Sequence, residues 1–289
     1  MSTLYFPLTI ESTRKSIKLG ESIFLIRLDH PHLRSLIGIS NIVVSKSGHI
    51  EQIGYLDNSP WPIWASHLRT NHPTHDIHRQ FINFALSVPD RSSARFVAFA
   101  MKVLAGTRSG PYVGFSDIRN SPFSIVPLNL CPYWGGGPLV LERKGIATLR
   151  MLLRAATSSE HKGKLGTLIE KYCYAESFGP PSPSLRYMEL AVVMEMLFLP
   201  IQAAELSYRF QLRVAKWFSR HFREDVGNVA VQAKQIYKLR SKIAHEGVAT
   251  VSDEDMASIR TLTRKALHKF VLDPSIFTDG YLDELCLSG

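Results

Sequence analysis

The stretch YKLRSKIAHEG, residues 237–247, places Arg240 five residues before His245 and stops on Gly247. A guanidinium is always charged and presents its donors in a planar fork that fits a phosphate. An imidazole titrates near neutrality and can take or give a proton. Together they are the minimum needed to cut RNA without a metal. The imidazole takes a proton from the ribose 2′-OH or gives one to the departing 5′-oxygen, while the guanidinium stabilises charge growing on the phosphorane. One helix supplies one such pair. Two copies meeting across a symmetric dimer would supply an acid and a base together with two arginines. Lys238, Ser241 and Lys242 flank the pair as candidate contacts to an RNA backbone, although a plain solvated helix face accounts for them as well. Tyr237, one turn before Arg240, can stack on a base or line the dimer contact.

The element that must position these groups is a helix over 226–246. Val229, Ala233, Ile236, Leu239 and Ile243 recur at intervals of a helical turn and form a core stripe. Arg240 lies about 40° from Ile236 on the helical wheel, at the stripe's edge, and His245 falls roughly on the opposite side. Gly247 fits the residue that ends a helix, which puts His245 in the last turn. Two further charges stand among apolar neighbours. Glu195 falls within a stripe of Leu185, Met188, Val192 and Leu199, and Arg213 within one of Leu206, Phe210, Val214 and Trp217. A buried charge needs a partner, so Glu195 and Arg213 are expected to face each other as a structural ion pair; the alternative is that both reach the rim.

The same helical spacing runs through the whole second half, with helices expected near 145–157, 164–177, 184–199, 201–220, 226–246 and 252–271. Ser252 is a good N-cap, followed by Asp253, Glu254 and Asp255, with Arg264, Lys265 and Lys269 toward the far end; both placements suit the helix dipole. GPPSPS at 179–184 and Pro200 break the chain between helices. The first half follows a different pattern. TLYFPLTI, ESIFLIRL and NIVVSKSGHIEQIGYL are β-branched and aromatic runs, and ARFVAFAMKVLAG is a short helix that a glycine terminates. A loop-rich stretch follows, and Gly135–Gly137 suit a hinge. The expected fold class is α+β: a mixed strand and helix domain over 1–140, then an all-α bundle over 145–289.

The 289 residues suffice for one large or two ordinary domains, and 45% hydrophobic with 20% charged residues is a globular composition. A formal charge of +9 attracts polyanions such as RNA, DNA or anionic lipid and makes a nucleic acid the first partner to consider. Cys131, Cys173 and Cys286 stand far apart, which argues against a disulfide framework or a cysteine zinc site and suits a reducing cytoplasm. No leader pattern opens the chain, and the longest apolar run, LAVVMEMLFL, is short and carries Glu195, so no membrane association is expected. HLRTNHPTHDIH gathers His67, His72, His75, Asp76 and His78; of these, His72, His75 and His78 are weak zinc candidates, and Pro73 disturbs their spacing. His30 and His32 stand apart from that cluster. GKLGT at 163–167 lacks the full spacing of a P-loop, and neither a nucleophile elbow nor a dinucleotide fingerprint occurs.

LRSKIAH resembles the R-x4–6-H signature of the HEPN superfamily of α-helical nucleic-acid-binding and ribonuclease domains. MELAVVMEMLFL, ELSYRFQLRVAKWF, IYKLRSKIAHEG and LTRKALHKFVLDPSIFTDGYLDELCL are similar, in order and spacing, to the Apea-like HEPN branch. The resemblance covers roughly 145–289. It implies that Arg240 and His245 are the catalytic pair of a composite site at a homodimer interface. The implied reaction is metal-independent endoribonuclease cleavage without a cofactor, leaving a 2′,3′-cyclic phosphate and a 5′-OH. The implied setting is anti-phage defence or toxin-type growth arrest, with a regulatory or antitoxin partner and a sensor role for the first half. Members that do not cleave serve as RNA-binding or dimerising modules. The chain departs from the pattern at Glu246, which follows the histidine where glycine is common.

Overall fold

The computed structural model describes residues 3–8, 10–37, 39–44, 50–55, 84–105, 113–116, 125–127, 139–157, 162–176, 182–199, 205–247 and 249–288. The chain divides into two compact units, Met1–Thr157 and Ser158–Gly289. The first mixes strands and helices and the second is helical, so the chain is α+β.

In the first unit, β1 (Leu4–Leu8), β3 (Ser16–Lys18), β4 (Phe24–Arg27), β7 (Phe84–Val88), β8 (Val113–Ser116) and β9 (Ile125–Pro127) form an antiparallel sheet in the order β3-β4-β7-β1-β8-β9. Strand β7, FALSV, is buried at every position, as its unbroken small and apolar run requires of an inner strand. Register pairs Leu4 with Val88 and Phe24 with Ser87. Among the described residues, β2 (Ile10–Glu11) also runs parallel to β10 (Leu139–Val140), and β5 (Ile39–Val44) pairs antiparallel with β6 (Ile50–Tyr55). Helix α1 spans Pro31–Ile37. Helix α2 (Arg91–Ala105) packs Val97, Ala98 and Met101 into the core, and α3 (Arg143–Thr157) packs against it. Arg27, buried on β4, is clamped by Asp29 through Nε at 2.7 Å and Nη2 at 2.8 Å.

The domain boundary falls later than the sequence suggests. Helix α3 belongs to the first unit because its buried face, Ile146, Leu149, Leu152, Leu153 and Ala156, is that unit's core. Arg150 on its outer side also donates to the carbonyl of Lys18 at 2.7 Å. The glycines 135–137 and the greater part of the loop-rich stretch lie outside the described residues.

The second unit holds α4 (Lys162–Ala175), α5 (Pro183–Phe198), α6 (Leu206–Phe222), α7 (Val226–Glu246) and α8 (Asp253–Leu272). A 3₁₀ turn (Pro274–Phe277) and α9 (Asp279–Leu287) follow. Proline at its start and the Ser182 side chain, which accepts from the Leu185 N–H, set the beginning of α5. Ser252 caps α8 by accepting from the Asp255 N–H at 3.0 Å. Trp217, Phe198 and Phe277 meet edge to face or tilted at 4.7–5.4 Å between ring centroids, and the Trp217 indole donates to the carbonyl of Ile276.

Helix α5 does not use the stripe expected for it. Ser184, Tyr187, Leu190, Ala191, Val193, Met194, Leu197 and Phe198 are its buried residues, whereas Leu185 is exposed and Met188, Val192 and Leu199 are half-buried. The reason is composition: apolar residues surround this helix, so spacing alone does not select the face that meets the core. Glu195 therefore sits on a flank and not in the core.

Candidate RNA-binding and catalytic surface

Helix α7 carries the candidate residues, and its position follows directly from its sequence. Asp225 caps its start by accepting from the Asn228 N–H at 2.8 Å. Val229, Ala233, Ile236, Leu239 and Ile243 are its buried residues, as the spacing predicts. Gly247 ends it at φ 76°, a left-handed conformation that favours glycine, with its N–H bonded to the carbonyl of Ile243. With the stripe fixed in the core, the remaining faces of α7 have no freedom. Arg240 stands at the core's edge, and His245 is exposed in the last turn.

Arg240 is held from α5. Its Nη2 donates to Glu195 Oε2 at 3.0 Å, and its Nε lies 2.9 Å from Glu195 Oε1, so the guanidinium fork meets the carboxylate with two nitrogens. The arginine side chain keeps 31% of its surface exposed and the glutamate 20%. Burial pushes the Glu195 carboxyl up from its ordinary range, and the charge and hydrogen bond of Arg240 only partly offset this. The pair thus combines a fixed orientation with a face still open to solvent.

The ion pair expected between Glu195 and Arg213 does not form. Arg213 on α6 is 1% exposed and turns toward α9: Nη2 lies 2.7 Å from Asp279 Oδ1 and donates to Asp283 Oδ1 at 2.7 Å. Its Nη1 donates to the carbonyl of Phe198 at 2.9 Å. The hydrogen bond from Arg213 holds Asp283 below the usual carboxylate range, against a smaller effect of burial. Sequence reasoning missed both aspartates because α9 was not recognised as a helix. The available signal was Thr278 as N-cap with Asp279 and Asp283 one turn apart on one face.

The flanking residues separate into paired and unpaired. Lys242 reaches Glu246 at 3.8 Å along the helix, so the carboxylate that follows His245 has a cation beside it. Lys238 and Lys234 are exposed and make no hydrogen bond or ion pair with the described residues. Ser241 is half-buried. Tyr237 is half-buried too, its ring 6.0 Å from that of Phe210. It lines an open cleft of about 770 Å³ with Glu205, Leu206, Ser207 and Tyr208 from the start of α6. Tyr208 is 64% exposed, and Glu205 adopts φ 58°, a left-handed backbone rare for a residue with a side chain. No hydrogen bond joins Arg240 to His245 among the described residues; five residues of helix turn their side chains about 140° apart.

Among the described residues no group of three His, Cys, Asp or Glu side chains can hold a metal ion, and the candidates His72, His75 and His78, with His67 and Asp76, lie outside them. A hydrogen bond joins His32 Nε2 and the Tyr5 hydroxyl at 3.1 Å, and the His32 backbone N–H donates to His30 Nδ1 at 3.3 Å. No described helix is long and apolar enough to cross a membrane. Comparison with family models, with curated proteins and with solved structures finds no match to this chain.

Proposed function

We propose that the helical unit is a metal-independent endoribonuclease of the HEPN type that acts as a homodimer in the cytoplasm. The carrying observation is the division of labour on α7: a guanidinium oriented by Glu195 yet one-third exposed, and a histidine exposed five residues later. In the reaction, the ribose 2′-oxygen attacks phosphorus as His245 accepts its proton. The 5′-oxygen leaves and takes a proton from the second His245, so the products are a 2′,3′-cyclic phosphate and a 5′-OH. Arg240 holds the phosphate and stabilises charge in the transition state. Because the two side chains diverge by about 140° on one helix, a second copy is needed to bring an imidazole to the phosphate that an arginine holds. Lys238, Ser241 and Lys242 contact the backbone, and Tyr237 with the exposed Tyr208 offers rings to an unpaired base. Defence against phage or toxin-type growth arrest, with a neutralising partner, is the setting that goes with this activity.

One observation favours a second reading, a non-cleaving HEPN module that binds RNA or protein. Arg240 already has a carboxylate on its fork, and a phosphate must compete with Glu195 for it. Incubating the full chain with mixed RNA in excess EDTA separates the readings. Cyclic-phosphate ends that disappear in His245→Ala support cleavage, and RNA binding without new ends supports the module. Activity that EDTA abolishes would point to a metal enzyme built on the first-half histidines.

A further inference from the structure

The first unit contains a second cleft, of about 630 Å³, that owes nothing to the α7 surface. It is lined, among the described residues, by the turn between β3 and β4 (Lys18 to Ile23), by Pro89 and Ser93 at the entry to α2, and by Arg150, Leu153 and Arg154 of α3. Its floor is apolar: Leu19 and Leu153 are buried, and Ile23 and Pro89 are half-buried. Among the described residues its rim carries Lys18, Arg150 and Arg154 beside the carboxylate of Glu21.

Arg150 is the telling residue. Its Nε donates to the Lys18 carbonyl at 2.7 Å, a bond across 132 residues of chain that fixes where the guanidinium points. No described carboxylate forms an ion pair with it, so an oriented, half-buried cation stands at the cleft with only Glu21 as an acid on the same described rim. A guanidinium held in one orientation and still open to solvent is prepared to take an anion on its remaining N–H donors. The volume lies within the range of small-molecule sites, and a floor of aliphatic side chains under a cationic rim suits an apolar body attached to a phosphate.

We propose that this cleft binds a small organic phosphate of nucleotide size. Its phosphate meets Arg150, Lys18 and Arg154, its apolar ring lies on Leu19, Ile23, Pro89 and Leu153, and Glu21 faces its hydroxyls. The site is independent of the nuclease reading, and either can fail alone.

Calorimetric titration of the full chain with ATP, AMP, adenosine and pyrophosphate tests it. Saturable binding of ATP and AMP is expected, with adenosine and pyrophosphate each weaker by about tenfold or more, since each lacks one half of the ligand. Arg150→Leu and Lys18→Glu are each expected to weaken AMP binding by about tenfold, with His245→Ala unchanged. Lys18 is exposed, so Lys18→Glu decides the matter if Arg150→Leu unfolds. No saturable binding of ATP or AMP, pyrophosphate binding as tightly as ATP, or AMP binding that Lys18→Glu leaves intact would each overturn the proposal.

Discussion

Arg213 and Arg240 stand on neighbouring helices of the same unit, and each meets carboxylates, yet the two sites have opposite character. Arg213 is 1% exposed and met from three directions: it donates to Asp283 and to the Phe198 carbonyl, and Asp279 forms an ion pair with it. Arg240 is 31% exposed and has one partner, itself lifted from its ordinary range by burial. A buried guanidinium that meets its partners inside the protein joins elements, here α6 to α9 and to the end of α5. One held by a single carboxylate, with a face left open, is oriented but still available to an incoming anion. The pattern of partners, more than the residue type, separates a structural arginine from a candidate for function.

The largest effect expected is on the structural side. Arg213→Ala leaves the Phe198 carbonyl and Asp279 without the guanidinium and Asp283 with Arg209 alone, and urea denaturation should show a loss of about 3 kcal/mol. The same measurement on Arg240→Ala should show about 1 kcal/mol or less, because solvent screens that pair. Equal losses would remove the distinction between the two sites.

The two carboxylates should also titrate on opposite sides of the ordinary range, a comparison that carboxyl carbon NMR reads directly. Glu195, raised by burial, should protonate first as the pH falls, at a pH above its ordinary value of 4.5. In that window the folded chain binds more protons than the unfolded chain, so this group makes stability fall as pH rises through it. Asp283, lowered by its hydrogen bond to Arg213, should stay ionised until the pH is below 3.8. Its contribution is full above that value and is lost as pH falls through the depressed one. Acidification thus frees Arg240 before Arg213; the reverse order would contradict the contrast drawn here.

A smaller effect sharpens the same theme on the exposed face. Lys238 has no described partner, whereas Lys242 has Glu246. Lys238→Ala should lower the slope of log affinity for single-stranded RNA against log salt by about 0.7, and Lys242→Ala by less. Equal slopes for the two variants would mean that the pairing with Glu246 does not persist in solution.

How far the sequence could be read tracks how each helix distributes polarity. Helix α7 has polar residues on every face but one, so its core stripe, its glycine stop and the placing of Arg240 and His245 were all legible. Helix α5 is apolar around most of its circumference, so its stripe was assigned to the wrong face and Glu195 was given the wrong partner. The cation that Glu195 meets comes from α7, a contact across 45 residues that no local spacing encodes. The partners of Arg213 lie still farther away, 70 residues on in a nine-residue helix too short to leave a clear period. Helix α3 looked like the start of the bundle because helices follow it, yet its apolar face and the Arg150 bond place it with the sheet. Strand runs in the first half were visible in their β-branched and aromatic composition, but their order in the sheet depends on long-range pairing that composition does not specify.

The central claim is that Arg240 and His245 act together on RNA, and product analysis in EDTA tests it most directly. Wild-type protein should generate fragments with 2′,3′-cyclic phosphate ends. His245→Ala should reduce their rate by a factor of about 10² to 10⁴. Thermal stability should change little, because His245 is exposed. Fragments that persist at the wild-type rate in both His245→Ala and Arg240→Ala, or that carry other ends, would contradict the account.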